Sequence, residues 1–212
     1  MRFSKRHIIL VFALLLAASS LQAQRLGGGL ILGPTLSTMK MSAIDTTSFR
    51  FDFCGGVRLA IIPEHSVFGA EVDVIYSRQG MRTPQGVDDM GNKFRIIEKS
   101  NYISVPILLN VYVRRWSEDD EDESNFVRLR VGPQVGFCLG GSEVVSTKEN
   151  KQTKNYIVPW AKGSYNWLDY GVTAAVSYWF IEVRYTMGMN NVFKGEGWSF
   201  NHVISVTWSD IW

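Results

Sequence analysis

An all-β fold, an eight-stranded antiparallel up-and-down transmembrane β-barrel, is what this 212-residue sequence predicts. Eight stretches alternate apolar and polar residues, and the apolar faces are expected to carry no Asp, Glu, Lys or Arg, the pattern of a barrel with its grease outside and its polar groups within. The charges on the opposite faces come out even, five basic and five acidic. The tryptophans gather at the ends of the stretches. Alternation alone also suits a soluble sandwich with one wet face, so delivery decides between the two.

Residues 1–23 read as a secretory signal, with Arg2, Lys5 and Arg6 before an apolar core over 8–18 and an exit at Leu21-Gln22-Ala23. The barrel domain is then 24–212. The apolar core is about half the roughly 20 residues of a spanning helix, and no later segment approaches that length. The quoted net charge of +2 includes three basic residues of the signal. Without them, 19 Lys plus Arg stand against 20 Asp plus Glu, or −1, so nothing points to nucleic acid. The chain is sized for one domain, with no linker or repeat.

Strands are predicted over residues 26–37, 51–62, 67–82, 93–114, 125–140, 168–178, 181–190 and 199–208, an even number that can pair as successive hairpins. With the N-terminus periplasmic, outer loops fall at 38–50, 84–92, 141–167 and 191–198. Inner turns fall at 63–66, 115–124 and the tight corner 178–180. The sharpest alternation places Val127, Leu129, Val131, Val135 and Phe137 on one face and Arg128, Arg130 and Gln134 on the other. A Lys or Arg at the bilayer midplane costs roughly 2–4 kcal/mol, which is why the lipid face should lack them.

Inward positions hold Asp52, Arg58, Glu71, Asp73, Arg114, Arg128, Arg130, Asp169, Glu182 and Arg184. A narrow lumen must pair such charges or leave them expensively desolvated, so they are expected to form a structural salt-bridge plug. Trp116, Trp179, Trp208 and Trp212 fall at the inner edge, and Trp160, Trp167 and Trp198 at the outer edge or its loops, as two aromatic girdles would. Cys54 and Cys138 both face inward. Two small buried side chains is the simpler reading, one disulfide across the upper lumen the alternative.

Three segments, taken in order, carry a family resemblance: Phe68-Gly69-Ala70-Glu71-Val72-Asp73-Val74-Ile75-Tyr76-Ser77-Arg78-Gln79-Gly80, then Asn101-Tyr102-Ile103-Ser104-Val105-Pro106-Ile107-Leu108-Leu109, then Val131-Gly132-Pro133-Gln134-Val135-Gly136. They resemble the Bacteroidota-type outer-membrane β-barrel family, often called PorT-like or porin-like. The resemblance covers nearly the whole chain after the signal and implies an eight-stranded outer-membrane barrel. It also implies local bulges at Pro106 and Pro133, since proline removes a ladder hydrogen bond.

No catalytic, cofactor or metal constellation emerges. His65 reads as a solvated turn residue. His202 faces lipid while Ser205, three residues on, faces the lumen, so the pair fails as base and nucleophile. The acidic run of residues 118–123 lacks the glycine and ligand spacing of a calcium loop. The expected function is a non-enzymatic outer-membrane barrel with a side-chain-filled lumen, its outer loops serving binding, adhesion or surface structure. An accessory role in a secretion or gliding apparatus, which the resemblance suggests, is the alternative, and a lipid-modifying enzyme the third. Expected partners are outer-membrane lipid and lipopolysaccharide, the barrel insertion machinery and a periplasmic or secretion-system protein.

Overall fold

The computed structural model describes residues 24–42, 47–63, 67–87, 91–113, 127–147, 151–157, 166–194 and 197–211. Residues 1–23, expected to be a secretory signal, together with His65, Arg114, Trp116, Trp160, Trp212 and the acidic run, lie outside these residues. Among the described residues ten strands follow one another: β1 (Gln24–Met41), β2 (Arg50–Pro63), β3 (Phe68–Arg82), β4 (Gly86–Val87), β5 (Lys93–Val113), β6 (Val127–Thr147), β7 (Lys151–Ile157), β8 (Leu168–Tyr178), β9 (Ile181–Gly188) and β10 (Ser199–Ile211). Eight of them close a ring in the order β1, β2, β3, β5, β6, β8, β9, β10 and back to β1, every pairing antiparallel. Closure removes the exposed edges that an open sheet would present.

Alternation makes this ring two-sided. Along β8 each even-numbered residue from 168 points outward and each odd one is buried. Outward residues are large and apolar, with Phe53 62% and Leu59 61% exposed, a continuous greasy surface that water would penalise and hydrocarbon would not. No described helix is long and apolar enough to cross a membrane, which says nothing about strands.

The tightest connection joins β8 to β9 through Trp179 and Phe180, with Tyr178 paired to Ile181. Trp179 has φ 55°, a left-handed backbone that costs a bulky residue on the order of 1–2 kcal/mol. The residue is 58% exposed at the end of the barrel, and its ring lies 4.5 Å from that of Phe180.

Four sequence expectations change. The predicted loop over 141–167 is largely sheet: β6 runs on to Thr147 and returns as β7, with Glu143 opposite Lys154. Beyond a bilayer both faces of a sheet meet water, so these strands need no alternation to announce them. In the same way β1 runs past Ser37 to Met41, and β4 pairs with Lys93 and Phe94 inside the predicted 84–92 tip.

The prolines do not produce bulges. Register is the same on both sides of Pro106, from Val72↔Ile107 to Ile75↔Ser104, and β6 stays in step with β8 through Pro133↔Val172. Pairing simply lapses for a residue or two where the N–H is missing. Beside Pro133 the backbones press together, since a Cβ on Gly132 would lie 2.0 Å from the Ile107 carbonyl oxygen. The register shift falls instead between Asn101 and Tyr102, whose partners Gly140 and Cys138 leave Leu139 as the extra residue.

The outward face is also not charge-free along its whole length. Arg78 and Arg82 on β3 share the face of Val74 and Tyr76, and Arg95 and Lys99 on β5 share that of Ile103. Lys40 does the same on β1, opposite Phe200. All lie at the end of the barrel away from Gln24 and Ile211.

Finally, the inward charges do not pair as one balanced set, as described next.

Candidate functional site

Strand alternation aims three arginines and three carboxylates at the barrel axis from four strands: Arg58 on β2, Glu71 and Asp73 on β3, Arg130 on β6, and Glu182 and Arg184 on β9. All six are buried, Arg184 at 4% being the most exposed. Arg58 lies at the centre. Its Nε donates to Asp73 Oδ1 at 2.8 Å, and its Nη2 to Asp73 Oδ2 at 3.0 Å and to Glu182 Oε2 at 2.8 Å. Its Nη1 donates to the Ser209 hydroxyl of β10.

The other three, Glu71, Arg130 and Arg184, close the network. Arg130 Nη1 donates to Glu71 Oε1 at 3.0 Å, and its Nη2 lies 2.7 Å from Glu182 Oε2. Asn110 Nδ2 on β5 donates to Glu71 Oε2 at 3.1 Å. Arg184 Nε donates to Glu182 Oε1 at 2.7 Å and its Nη2 to Asp73 Oδ2. Three positive and three negative charges cancel, and nearly every carboxylate oxygen has a donor, the condition under which buried ions are tolerated.

Three predicted members stand outside this cluster. Asp52 pairs with Arg50, a residue the alternation had not placed in the lumen. Arg50 Nη1 also donates to the Gln79 carbonyl at 2.9 Å. Arg128 meets no carboxylate among the described residues: its Nε donates to Ser177 Oγ at 3.1 Å and its Nη2 to the Trp179 carbonyl at 3.2 Å. Asp169 meets an amide, with Asn201 Nδ2 donating to its Oδ2 at 3.1 Å and also lying 3.3 Å from the Tyr102 hydroxyl. Opposite sign and inward direction are readable from sequence. Which side chains reach each other depends on ring stagger.

Between the ion network and the end of the barrel away from Gln24 lies a cavity of about 30 Å³, lined among others by Ile31, Thr35, Cys54, Gln134, Thr186 and Ser205. That is space for a water or two. Cys54 and Cys138 are buried free thiols, so the disulfide alternative does not form.

Above it the lumen is stoppered. Met39, Met81 and Val192 form a buried apolar cluster, with Met41 and Phe193 packed on it. Val192 and Phe193 belong to the β9–β10 connection, which is stitched down by Ser199 Oγ accepting from both their N–H groups at 3.0 and 3.1 Å. Asn166 N–H donates to the Val192 carbonyl at 2.8 Å, and Ser42 N–H to the Trp198 carbonyl at 2.9 Å.

The four described tryptophans are all at least 45% exposed. Trp167 stacks on Phe137 at 6.0 Å and Trp198 on Phe200 at 5.8 Å at the stoppered end. Trp179 and Trp208 lie toward the opposite end, Trp208 opposite Ile181 at the start of β9. His202 faces outward as read, and its Nδ1 lies 2.7 Å from the Tyr185 hydroxyl, while Ser205 is buried in the lumen. Sequence reading missed this Tyr partner because it sits on a neighbouring strand. Among the described residues no cluster of three or more His, Cys, Asp or Glu is placed to hold a metal.

A family model described as "Outer membrane protein beta-barrel domain" matches residues 19–194. No curated protein matches the chain. Among solved structures, Neisserial surface protein A is similar at 10% identity and a TM-score of 0.42, over 86% of this chain and 95% of that one. Ail, the attachment invasion locus protein of Yersinia pestis, solved with the heparin analogue sucrose octasulfate, is similar at 8% identity and a TM-score of 0.39, over 87% of this chain and 99% of that one.

Proposed function

This chain belongs to the outer membrane protein β-barrel domain family, and from that premise we propose that it is a non-enzymatic, non-conducting outer-membrane barrel exported by its first 23 residues. Its working surface is the set of loops at the stoppered end, which face the cell exterior and serve binding or adhesion. The single observation that carries the reading is the sealed lumen: six mutually paired charges cross it, and an apolar cap of Met39, Met81 and Val192 lies above them. A pore would need water where these side chains stand. A barrel whose described residues close its lumen and place no nucleophile–base pair on its surface has its loops left to work with.

The β6–β7 hairpin carries Lys148, Lys151 and Lys154 in its sequence, a charge that suits an anionic surface. Cells displaying the protein should be retained on a sulfated-polysaccharide coating at low salt. Replacing the three lysines by glutamine should lower that retention, with the difference shrinking as salt rises. Unchanged retention, together with loss of protein secretion when the acidic run 118–123 is neutralised in a barrel that still inserts, would replace this reading with the accessory role in secretion.

A further inference from the structure

We propose that the cavity between the ion network and the apolar cap is a built hydration site, whose two ordered waters hydrogen-bond Arg184, Thr35 and Thr207 and so belong to the plug. The inference concerns the inside of the barrel and stands whichever end faces out. It starts from three polar atoms to which the protein itself gives no hydrogen-bond partner: Arg184 Nη1, Thr35 Oγ1 and Thr207 Oγ1. All three side chains are buried, and all three line the same space of about 30 Å³. A single orphaned group could be strain at one residue. Three that converge on one cavity share a ligand.

Strand register brings them together. Thr35 on β1 pairs with Ser205 on β10, Ser205 pairs in turn with Arg184 on β9, and Thr207 is the next inward residue of β10. Arg184 turns its Nε to Glu182 and its Nη2 to Asp73, which leaves Nη1 for the cavity. Glycine keeps the space open. Gly33 and Gly56 hold inward phases next to the lining residues Ile31, Thr35 and Cys54 and carry no side chain. Neither can gain one, since a Cβ would lie 2.2 Å from the Val206 carbonyl oxygen at Gly33 and 2.3 Å from that of Val74 at Gly56.

Size and chemistry then select the ligand. A water needs about 10–15 Å³ of such space and two to four polar partners, so the cavity fits two. Arg184 Nη1 can only donate, whereas a threonine hydroxyl donates or accepts. Water meets both kinds of group at once. A halide can only accept, and the charge of Arg184 is already matched by Glu182 and Asp73 within a cluster balanced three against three. An added anion would be buried without a counter-charge, which is the costly case. The lumen is thus three layers deep: paired ions, trapped water and an apolar cap.

The test uses the full chain refolded in detergent and reads the sign of a stability change. Valine copies the shape of threonine without its hydroxyl. If the hydroxyls bind water, Thr35→Val and Thr207→Val should each lower the folded-to-unfolded ratio in urea by about fivefold, the worth of one hydrogen bond. If the cavity is dry, the same changes remove an unpaired buried group and should leave the ratio unchanged or raise it, which would overturn the site. A crystal structure at a resolution that shows ordered water should place two density peaks within hydrogen-bond distance of Arg184 Nη1, Thr35 Oγ1 and Thr207 Oγ1, and Thr35→Val/Thr207→Val should lose at least one. An anomalous peak in the cavity of crystals grown in bromide would overturn water in favour of an anion. An empty cavity in a barrel that conducts no ions would sink the hydration site and leave the sealed lumen standing.

Discussion

Replacing Arg58 with methionine is expected to destabilise the folded barrel by about 3–5 kcal/mol, the cost of stranding buried charge by removing its partner. The guanidinium touches Asp73 and Glu182, lies 3.5 Å from Glu71 and bonds Ser209. Its loss leaves three carboxylates facing two arginines in a space closed to water. Removing Asp73 as well, in Arg58→Met/Asp73→Leu, restores a balance of two against two. The double variant should therefore lose less than the sum of its single changes, with a coupling of about 1–3 kcal/mol. Urea unfolding in lipid vesicles, followed by tryptophan fluorescence, measures all three. A loss under about 0.5 kcal/mol for Arg58→Met, the size of an ordinary surface change, would mean that the network is solvated and that the lumen is not sealed by it.

Val72→Arg is expected to cost about 2–4 kcal/mol, because Val72 lies at the middle of the apolar Phe68–Tyr76 span of β3 and faces outward opposite Leu59. Val113→Arg, at the last residue of β5, is the control: near an interface the same change costs roughly 0–1 kcal/mol. Depth dependence is the informative part. Where water covered the outward face, arginine would be tolerated about equally at both positions, and equal small effects would contradict a lipid-facing surface.

How much of this was legible in the sequence follows from where each residue sits relative to the bilayer. Strand β8 matches its expected bounds, 168–178, because it lies inside the span where one face must be apolar and the other not. The hairpin of β6 and β7 was unreadable for the opposite reason: Gly141-Ser142-Glu143-Val144-Val145-Ser146-Thr147 and its partner strand have no hydrocarbon to impose a period. Arg78 shows how the two regimes meet. It keeps the phase of Tyr76, so its direction follows from the period of two, but it stands beyond the outward apolar residues that run from Phe68 to Tyr76, where lipid contact no longer forbids a charge.

The lumen divides similarly. Inward direction followed from the period of two for Arg58, Glu71, Asp73, Arg130, Glu182 and Arg184. Their mutual contacts depend on the stagger of four strands around the ring, which no local pattern encodes. That stagger is why Asp169 finds Asn201 in place of an arginine and Arg128 finds a hydroxyl and a carbonyl. Proline was the other local signal that misled. A missing N–H can be absorbed as a lapse in pairing without an inserted residue, as at Pro106 and Pro133, whereas the bulge arose at Leu139, where nothing in composition marks it.

The most direct test of a sealed barrel is single-channel conductance in a planar lipid bilayer, made on protein whose insertion has been verified by its heat-modifiable mobility. The account predicts a flat trace with no steps above the bare membrane in 1 M salt (about a 3 Å screening length). Stable, voltage-independent conductance steps from the unaltered chain would contradict it.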